Sequence, residues 1–561
     1  MDQLPQELVD RISSFLSSGD LKNTLLLSHA FRFSAEKYSG AFATFNLNQS
    51  NVEKFINIFS GHRLLYLRDL VFNDIRLPLP KDRYRRDDAD QLSKHDEIFT
   101  QKISFLFETM KTIEERAGTQ NIPGRVRLQI GSPFRPVYGM VALTWHDCLS
   151  WRVHLLKPEE LPLVKSIRSL EVGDFWGSRS GRSRGDAGHD WAPVQLDYSV
   201  MVDLVIKLPN LEYWGCRMGG NEWSPKTDQA ATNYFLQDWA GPRRDTRQDF
   251  AKALLTARLP DSLRRIRLDF LHDLEHSTNI DHLTEQPDLV SPATSDLFST
   301  SLCHLSNHLR QLHLRVVADE TLFWPKDGCT LSWPNLESFV VMFHMVSPSG
   351  QWYFIGPNGE GRNTAARKVT STSYPPLETT PYDKEMDEQI EREGDGRYRY
   401  TSTTRIRFVP NDTTLRPFLA AFAKAASNMR ALQEAVLWCP LTWRPDSTDD
   451  GLFESDWWSK NYPYEGDYAW GVQYQATSEH KSTRDVKDPP TGIPELYWEV
   501  GKWRPDPELH RLFQQVGRMQ QDNGKELWGD GLSGERLGDH EYFEIRAQER
   551  VDRVGHIPLP R

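Results

Sequence analysis

Apolar positions in the first forty residues recur at helical intervals. Leu8, Ile12, Phe15 and Leu16 stand at i, i+4, i+7 and i+8, which places them on one face of a first helix. Pro5 suits the opening turn, because its missing N–H would have no partner there and its fixed φ is already helical. Gly19 and Asp20 interrupt the pattern, and Asp20 is placed to cap a second helix over residues 22–27. Helices this short bury too little to be robust alone, so the apolar face is expected to be completed by another surface.

Further along, residues 64–77 form a short apolar stretch that leads into a mixed-sign run over 81–96. There Arg83, Arg85 and Arg86 alternate with Asp82, Asp87, Asp88 and Asp90, which predicts a solvated loop without a phosphate-binding field. Ile98, Phe105, Leu106, Met110 and Ile113 predict an amphipathic helix over 97–116, ended by Gly118. The middle of the chain then repeats one unit: a helical pattern, a short turn, and L-x-x-L-x-L or a close relative. The pairs are 200–207 with 208–214, 249–258 with 263–268, 294–304 with 309–314, and 415–429 with 432–437. Residues 164–172 and 336–341 carry the strand pattern without an obvious helix. Neither element covers its own apolar face, so each must stack on the next copy. Two insertions, 173–192 and 356–404, are rich in Gly, Ser, Pro and charge and predict flexible loops.

The N-terminal order L-P-x-E-L, followed by Ile12, Leu16, Asp20-Leu21, Ser28 and Phe31, resembles the F-box, a three-helix adaptor-binding module. The resemblance covers residues 4–45 and implies docking onto a Skp-type adaptor and, through it, onto a cullin ubiquitin ligase. The adaptor-binding residues it implies are Leu4, Pro5, Glu7, Leu8, Ile12, Leu16, Leu21, Leu27, Ser28 and Phe31. The middle region resembles degenerate leucine-rich repeats with an irregular period, an arrangement common after an F-box in fungal proteins. The expected fold class is α/β: an N-terminal three-helix F-box followed by an irregular leucine-rich-repeat-like α/β solenoid with insertions.

Composition narrows the function classes. The chain has 561 residues, a formal net charge of −11, 38% hydrophobic and 26% charged residues, which is globular and long enough for several domains. Its acidity argues against a nucleic-acid partner. No apolar run approaches a membrane span or a signal peptide, so an intracellular protein, cytoplasmic or nuclear, is expected. Cys148, Cys216, Cys303, Cys329 and Cys439 are scattered, odd in number and never paired as C-x-x-C, and they read as reduced thiols. Between residues 438 and 503 seven tryptophans and five tyrosines alternate with acidic residues. Such rings either cap the open end of a repeat array or form an interface, and Trp443, Trp457, Trp458 and Trp470 are the candidates for substrate contact. A final helix is expected over 507–519, and a polar tail with little to bury from residue 523.

Catalytic chemistry is sparse. His272-Asp273-Leu274-Glu275-His276 matches H-x-x-E-H, but a zinc site needs both histidines on one helical face and a third ligand, and the motif directly follows a strand. A zinc hydrolase through His272 and His276 is therefore a remote alternative. Gly529 to Gly534 fits G-x-G-x-x-G without the preceding apolar strand that phosphate binding requires. No cofactor or metal is expected. The expected division is 1–45 F-box, 46–120 connecting segment with a helix, 121–440 repeat-like array, 441–522 aromatic cap and final helix, and 523–561 tail. The expected function is a non-catalytic substrate-recognition subunit of a ubiquitin ligase; the alternative is a scaffold that uses the adaptor without ubiquitylation.

Overall fold

The computed structural model describes residues 4–78, 86–118, 125–137, 151–173, 190–219, 229–235, 239–272, 274, 277, 280–326, 331–393, 404–443, 466–476 and 492–529. Three helices, α1 (Gln6–Ser14), α2 (Ser18–Thr24) and α3 (His29–Tyr38), precede one large sheet. Its twelve strands are β1 (Thr44–Asn46), β2 (Asp69–Phe72), β3 (Val126–Gly131), β4 (Ile167–Gly173), β5 (Tyr213–Gly219), β6 (Arg265–His272), β7 (Gln311–Val316), β8 (Ser338–Phe343), β9 (Glu434–Trp443), β10 (Gly466–Gln475), β11 (Glu495–Glu499) and β12 (Lys525–Gly529). They lie side by side in chain order. Neighbours from β1 to β9 are all parallel; β10 runs antiparallel to β9 and β11, and β12 parallel to β11.

Parallel neighbours need crossover connections, and helices supply most of them. Further helices among the described residues are α4 (Val52–Phe59), α5 (Ala89–Arg116), α6 (Ser199–Val205), α7 (Ala230–Phe235), α8 (Ala240–Thr256), α9 (Leu297–Leu305), α10 (Pro381–Glu393), α11 (Asp412–Ser427) and α12 (Pro507–Gln514). Strand alternation sends one parity of side chains into a common core: Leu128 and Ile130 on β3, Leu170 and Val172 on β4, Ile266 and Leu268 on β6, Leu312 and Leu314 on β7. Helix rings close over them. Phe250 of α8 packs 6.3 Å from Trp214 of β5 and 5.6 Å from Phe270 of β6, Phe298 of α9 lies 5.0 Å from Phe270, and Phe422 of α11 stacks 5.7 Å from Phe339 of β8.

The recurring leucine pattern marks these strands, offset by two residues. Leu211, Leu263, Leu309, Leu336 and Leu432 each stand two positions before a strand begins, with the side chain buried. Between that leucine and the strand, one backbone bond recurs from copy to copy. Glu212 N donates to Arg168 O at 2.8 Å, Arg264 N to Glu212 O at 3.1 Å, Arg310 N to Arg264 O at 2.7 Å, Glu337 N to Arg310 O at 2.8 Å and Gln433 N to Glu337 O at 2.8 Å. The spacing of these strands is irregular: β8 starts 27 residues after β7, and β9 starts 96 residues after β8.

Four expectations are corrected. Residues 356–393 are not a loose loop: Arg367 and Lys368 pair with Pro287 and Asp288, and α10 is tied down by Asp383, whose side chain is fully buried; residues 394–403, and 174–189 of the other insertion, lie outside the described residues. The mixed-sign run is not wholly solvated, since Arg86 binds Asp383 and Asp87 lies 2.8 Å from the buried Arg135. Asp88 and Gln91 form a reciprocal capping box that starts α5 at Ala89, eight residues before the expected position. The tail from residue 523 supplies an edge strand, β12, whose Trp528 stacks 5.1 Å from Trp498. Gly529 ends this strand, whose Lys525 and Glu526 keep it from being apolar; residues 530–534 lie outside the described residues.

Candidate functional site

Two surfaces carry chemistry. The first is built by α1–α3. Pro5 caps α1 and its carbonyl accepts from the Leu8 and Val9 amides, at 3.0 and 3.2 Å. The side chain of Ser17 caps α2, and that of Ser28 caps α3 by accepting from Phe31 N at 3.3 Å. Val9, Leu21, Phe31 and Ala35 are buried between the three helices, in a small interior separate from the main core. Asp10 locks α1 to α3: it accepts from Lys37 at 2.7 Å and from Ser34 Oγ at 2.8 Å. Burial works against the Asp10 charge, but the bonds from Lys37, Gln6 and Ser34 outweigh it and hold the carboxyl below its usual range.

Glu36 joins α3 to the following 3-10 turn, His62–Tyr66. Arg63 grips it bidentately, Nη2 to Oε1 at 2.5 Å and Nε to Oε2 at 3.0 Å, and His62 Nε2 lies 2.9 Å from Oε2. The Arg63 bonds, against an opposing burial effect and with help from His62, lower the Glu36 pKa to about 2.

What these locks leave outside is apolar. Leu4, Leu8 and Ile12 are 40%, 49% and 42% exposed along one side of α1, Phe15 is 79% exposed at its end, and Leu26 and Leu27 are 95% and 53% exposed between α2 and α3. Pro5 and Glu7 are exposed too, Leu16 is half-buried and Ser28 is half-buried as a cap. Leu21 and Phe31 depart from the expectation of a presented face, for they are spent on holding the three helices together.

The second surface is the other face of the sheet, opposite the helix-packed core. In-register pairing aligns its side chains in rows across the strands. One row runs Arg127, Ser169, Tyr213, Arg265, Gln311, Ser338 and Glu434; the next Gln129, Glu171, Gly215, Arg267 and His313; the third Gly173, Arg217, Asp269, Arg315 and Met342. From β3 to β7 five arginines thus face two carboxylates. Arg127 Nη2 binds Glu171 at 2.7 Å, and Gln129 donates to the same oxygen at 3.0 Å. Arg315 Nη1 binds Asp269 at 2.9 Å. Burial disfavours the Glu171 charge, yet Arg127 and Gln129 more than offset it and depress its pKa. Arg267 is pushed the other way, first by burial and then by Arg315 and Arg217, so its pKa falls below the usual guanidinium range. Its Nη1 is buried without a hydrogen-bond partner among the described residues. The sequence analysis did not single out these residues, although R-x-R-x-D at 265–269 places three charges on one strand face.

The proposed aromatic contacts are not presented. Trp443 and Trp470 are 4% and 0% exposed, the first against Phe408 and the second between Phe354 and Trp503. They face inward because β9 and β10 pair over ten positions and carry them into the core. Trp457 and Trp458 lie outside the described residues, as does His276. His272 ends β6, with Nδ1 4.0 Å from Asp269 Oδ2, and so is not on the helical face that the zinc motif needs. Among the described residues no three His, Cys, Asp or Glu side chains are grouped to hold a metal ion, and no helix is long and apolar enough to cross a membrane. Cys216, Cys303 and Cys439 are buried thiols outside any disulfide. No family model and no curated protein matches the chain.

Proposed function

We propose that the chain is a non-catalytic substrate receptor of a Skp-cullin-F-box type ubiquitin ligase. Its α1–α3 dock on the Skp-type adaptor, and a leucine-rich-repeat-like array of parallel strands captures a protein substrate. The observation that carries the reading is the coincidence of pattern and exposure. Leu4 and Leu8 of the L-P-x-E-L stretch, with Ile12 and Leu27, are apolar and open on a trio of helices that Asp10, Ser34 and Lys37 lock together. A contiguous apolar patch on a folded surface marks an interaction site. Chain-order strands with the recurring backbone bond support the repeat-array part of the reading. Ubiquitin transfer would then follow from proximity, a high effective concentration of acceptor lysines near the charged enzyme.

The test is co-purification of the full chain with a Skp-type adaptor and a cullin, for the native protein and for Leu8→Asp with Ile12→Asp. The native chain brings down both and the double variant neither. Adaptor without cullin indicates a scaffold; adaptor retained by the double variant removes the F-box reading.

A further inference from the structure

Units stacked in chain order couple mainly to their neighbours. Residues 367–393, inserted between β8 and β9, do otherwise: they run back along the array and tie down crossovers that precede β7, β6, β4 and β3. Arg367 and Lys368 pair with Pro287 and Asp288, ahead of β7. Tyr374 lies on the first turn of α8, where Arg244 Nη2 donates to its hydroxyl at 2.7 Å and the hydroxyl donates to Asp245 Oδ2 at 2.7 Å. Its ring stacks 6.1 Å from Trp151 and lies 2.6 Å from where a Gly241 Cβ would stand. Asp383 then takes Arg86 and Tyr234 on Oδ1. This clasp closes on a hydroxyl. Thr380 Oγ1 donates to Asp383 Oδ2 at 2.8 Å, Thr380 N donates to the same oxygen at 2.6 Å, and Asp383 N donates back to Oγ1 at 3.1 Å, a reciprocal cap that starts α10. Pro381 follows Thr380 directly and keeps its backbone extended. Leu377, Glu378, Pro381 and Tyr382 are exposed on either side, and Thr380 itself is half-buried.

We propose that Thr380 is a phosphorylation site and that phosphate there opens the clasp. The modifying enzyme is a protein kinase that requires proline after its target residue. Thr380 Oγ1 attacks the γ-phosphorus of a nucleoside triphosphate, its proton passes to a base of the kinase, and the bond to the departing nucleoside diphosphate breaks. The product carries close to two negative charges and three acceptor oxygens, and has no proton to give Asp383. A donor facing Asp383 Oδ2 thus becomes a like charge. A helix N-terminus favours an anion, but in α10 Asp383 already holds that place and Arg86 is already bound to it. Repulsion at this carboxylate acts on every segment it joins, so residues 374–393 leave α7, α8 and Arg86 together. The array is then left with coupling between neighbours alone. The clasp stands whatever the array captures.

The experiment treats the full chain with a proline-directed protein kinase and MgATP, places the phosphate by mass spectrometry, and compares hydrogen exchange with the untreated chain. Phosphate is expected on Thr380, with exchange across residues 371–393 and 230–235 faster by at least about tenfold and β7 and β8 unchanged. A phosphatase should restore the slow exchange. Absence of phosphate from Thr380 in the folded chain overturns the proposal. So does phosphate there with unchanged or slower exchange, the result if Arg86 turned to the phosphate and tightened the clasp. These comparisons need no variant. Thr380→Val removes the oxygen and keeps the shape, so kinase treatment should leave its exchange as it was. A kinase-driven loss of protection that persists in Thr380→Val assigns the opening to another residue and overturns the proposal as well.

Discussion

Arg86 and Asp383 are 297 positions apart in the chain and form one ion pair, with the guanidinium Nη2 and Nε 2.6 and 2.9 Å from the same carboxylate oxygen. Asp383 is fully buried and also accepts from the Tyr234 hydroxyl at 2.5 Å and from Thr380 N at 2.6 Å. Three remote segments meet at one carboxylate: the lead-in to α5, helix α7 and the start of α10. Burial opposes the Asp383 charge, and the bonds from Arg86, Tyr234 and Thr380 overcome it, leaving its pKa below the usual value.

Asp383→Ala should therefore be severely destabilising, by about 3–5 kcal/mol, since it strands a largely buried guanidinium. Arg86→Met combined with Asp383→Leu should recover most of that loss, because burying two apolar groups leaves no charge unpaired. Urea unfolding of the two variants beside the native chain checks both statements. If Asp383→Ala melts with the native chain, residues 356–393 are not pinned in the way described.

That junction also marks where the sequence stops being legible. The strands β5 to β9 could be read because each is preceded by a leucine that must be buried, so the local pattern and tertiary packing agree. The segment around Asp383 could not, because its order comes from single polar partners hundreds of residues distant, and a Gly, Ser and Thr-rich composition with few aliphatics looks unfoldable without them. The arginine face was hidden for a related reason. Arg265, Arg267 and Arg315 each sit at an outward position of a strand, where a solvated charge is the ordinary reading, and only the register brings them together. The apolar face of α1 was the opposite case. Leu8 and Ile12 lie four residues apart on one helix, and their spacing alone set the face they share.

Exposure separates two neighbouring residues of α1. Leu8 is 49% exposed and Val9 fully buried. Leu8→Asp should change stability by no more than about 0.5 kcal/mol while abolishing adaptor binding. Val9→Asp places a carboxylate among Leu21, Phe31 and Ala35 and should unfold the three helices, removing adaptor binding by a different route. Circular dichroism melts beside the pull-down distinguish them. A large melting-temperature drop in Leu8→Asp would show that its side chain is packed against this chain.

The hold of Glu36 on Arg63 and His62 gives the attachment of α3 an acid limit. Its folded pKa, lowered to about 2 from an unfolded value of 4.5, makes its contribution fully present above about pH 5 and progressively lost as pH falls toward 2. Asp10, whose pKa is also lowered, acts in the same direction. Hydrogen-exchange protection across α3 and residues 62–66 should therefore decline through that window and stay level between pH 5 and 8. Glu36→Gln should flatten much of the decline, since it removes the titrating group. Protection that decays equally in Glu36→Gln would assign the acid response elsewhere.

The tryptophans at the end of the sheet should act through stability rather than through recognition. Trp470 has no exposed surface and lies 5.6 Å from both Phe354 and Trp503, bringing β10, a short strand before residue 356 and the turn after β11 together. Truncating a ring so enclosed leaves a cavity that its neighbours cannot fill, at a cost of about 3–5 kcal/mol for Trp470→Ala. Trp470→Phe should cost less, because it keeps most of the apolar volume. An interface tryptophan would behave differently, since its removal lowers affinity with the melting temperature unchanged. Denaturant midpoints for the two variants, measured beside capture of substrate by the intact chain, separate the roles. Loss of capture in Trp470→Ala without loss of stability would return this ring to the binding surface.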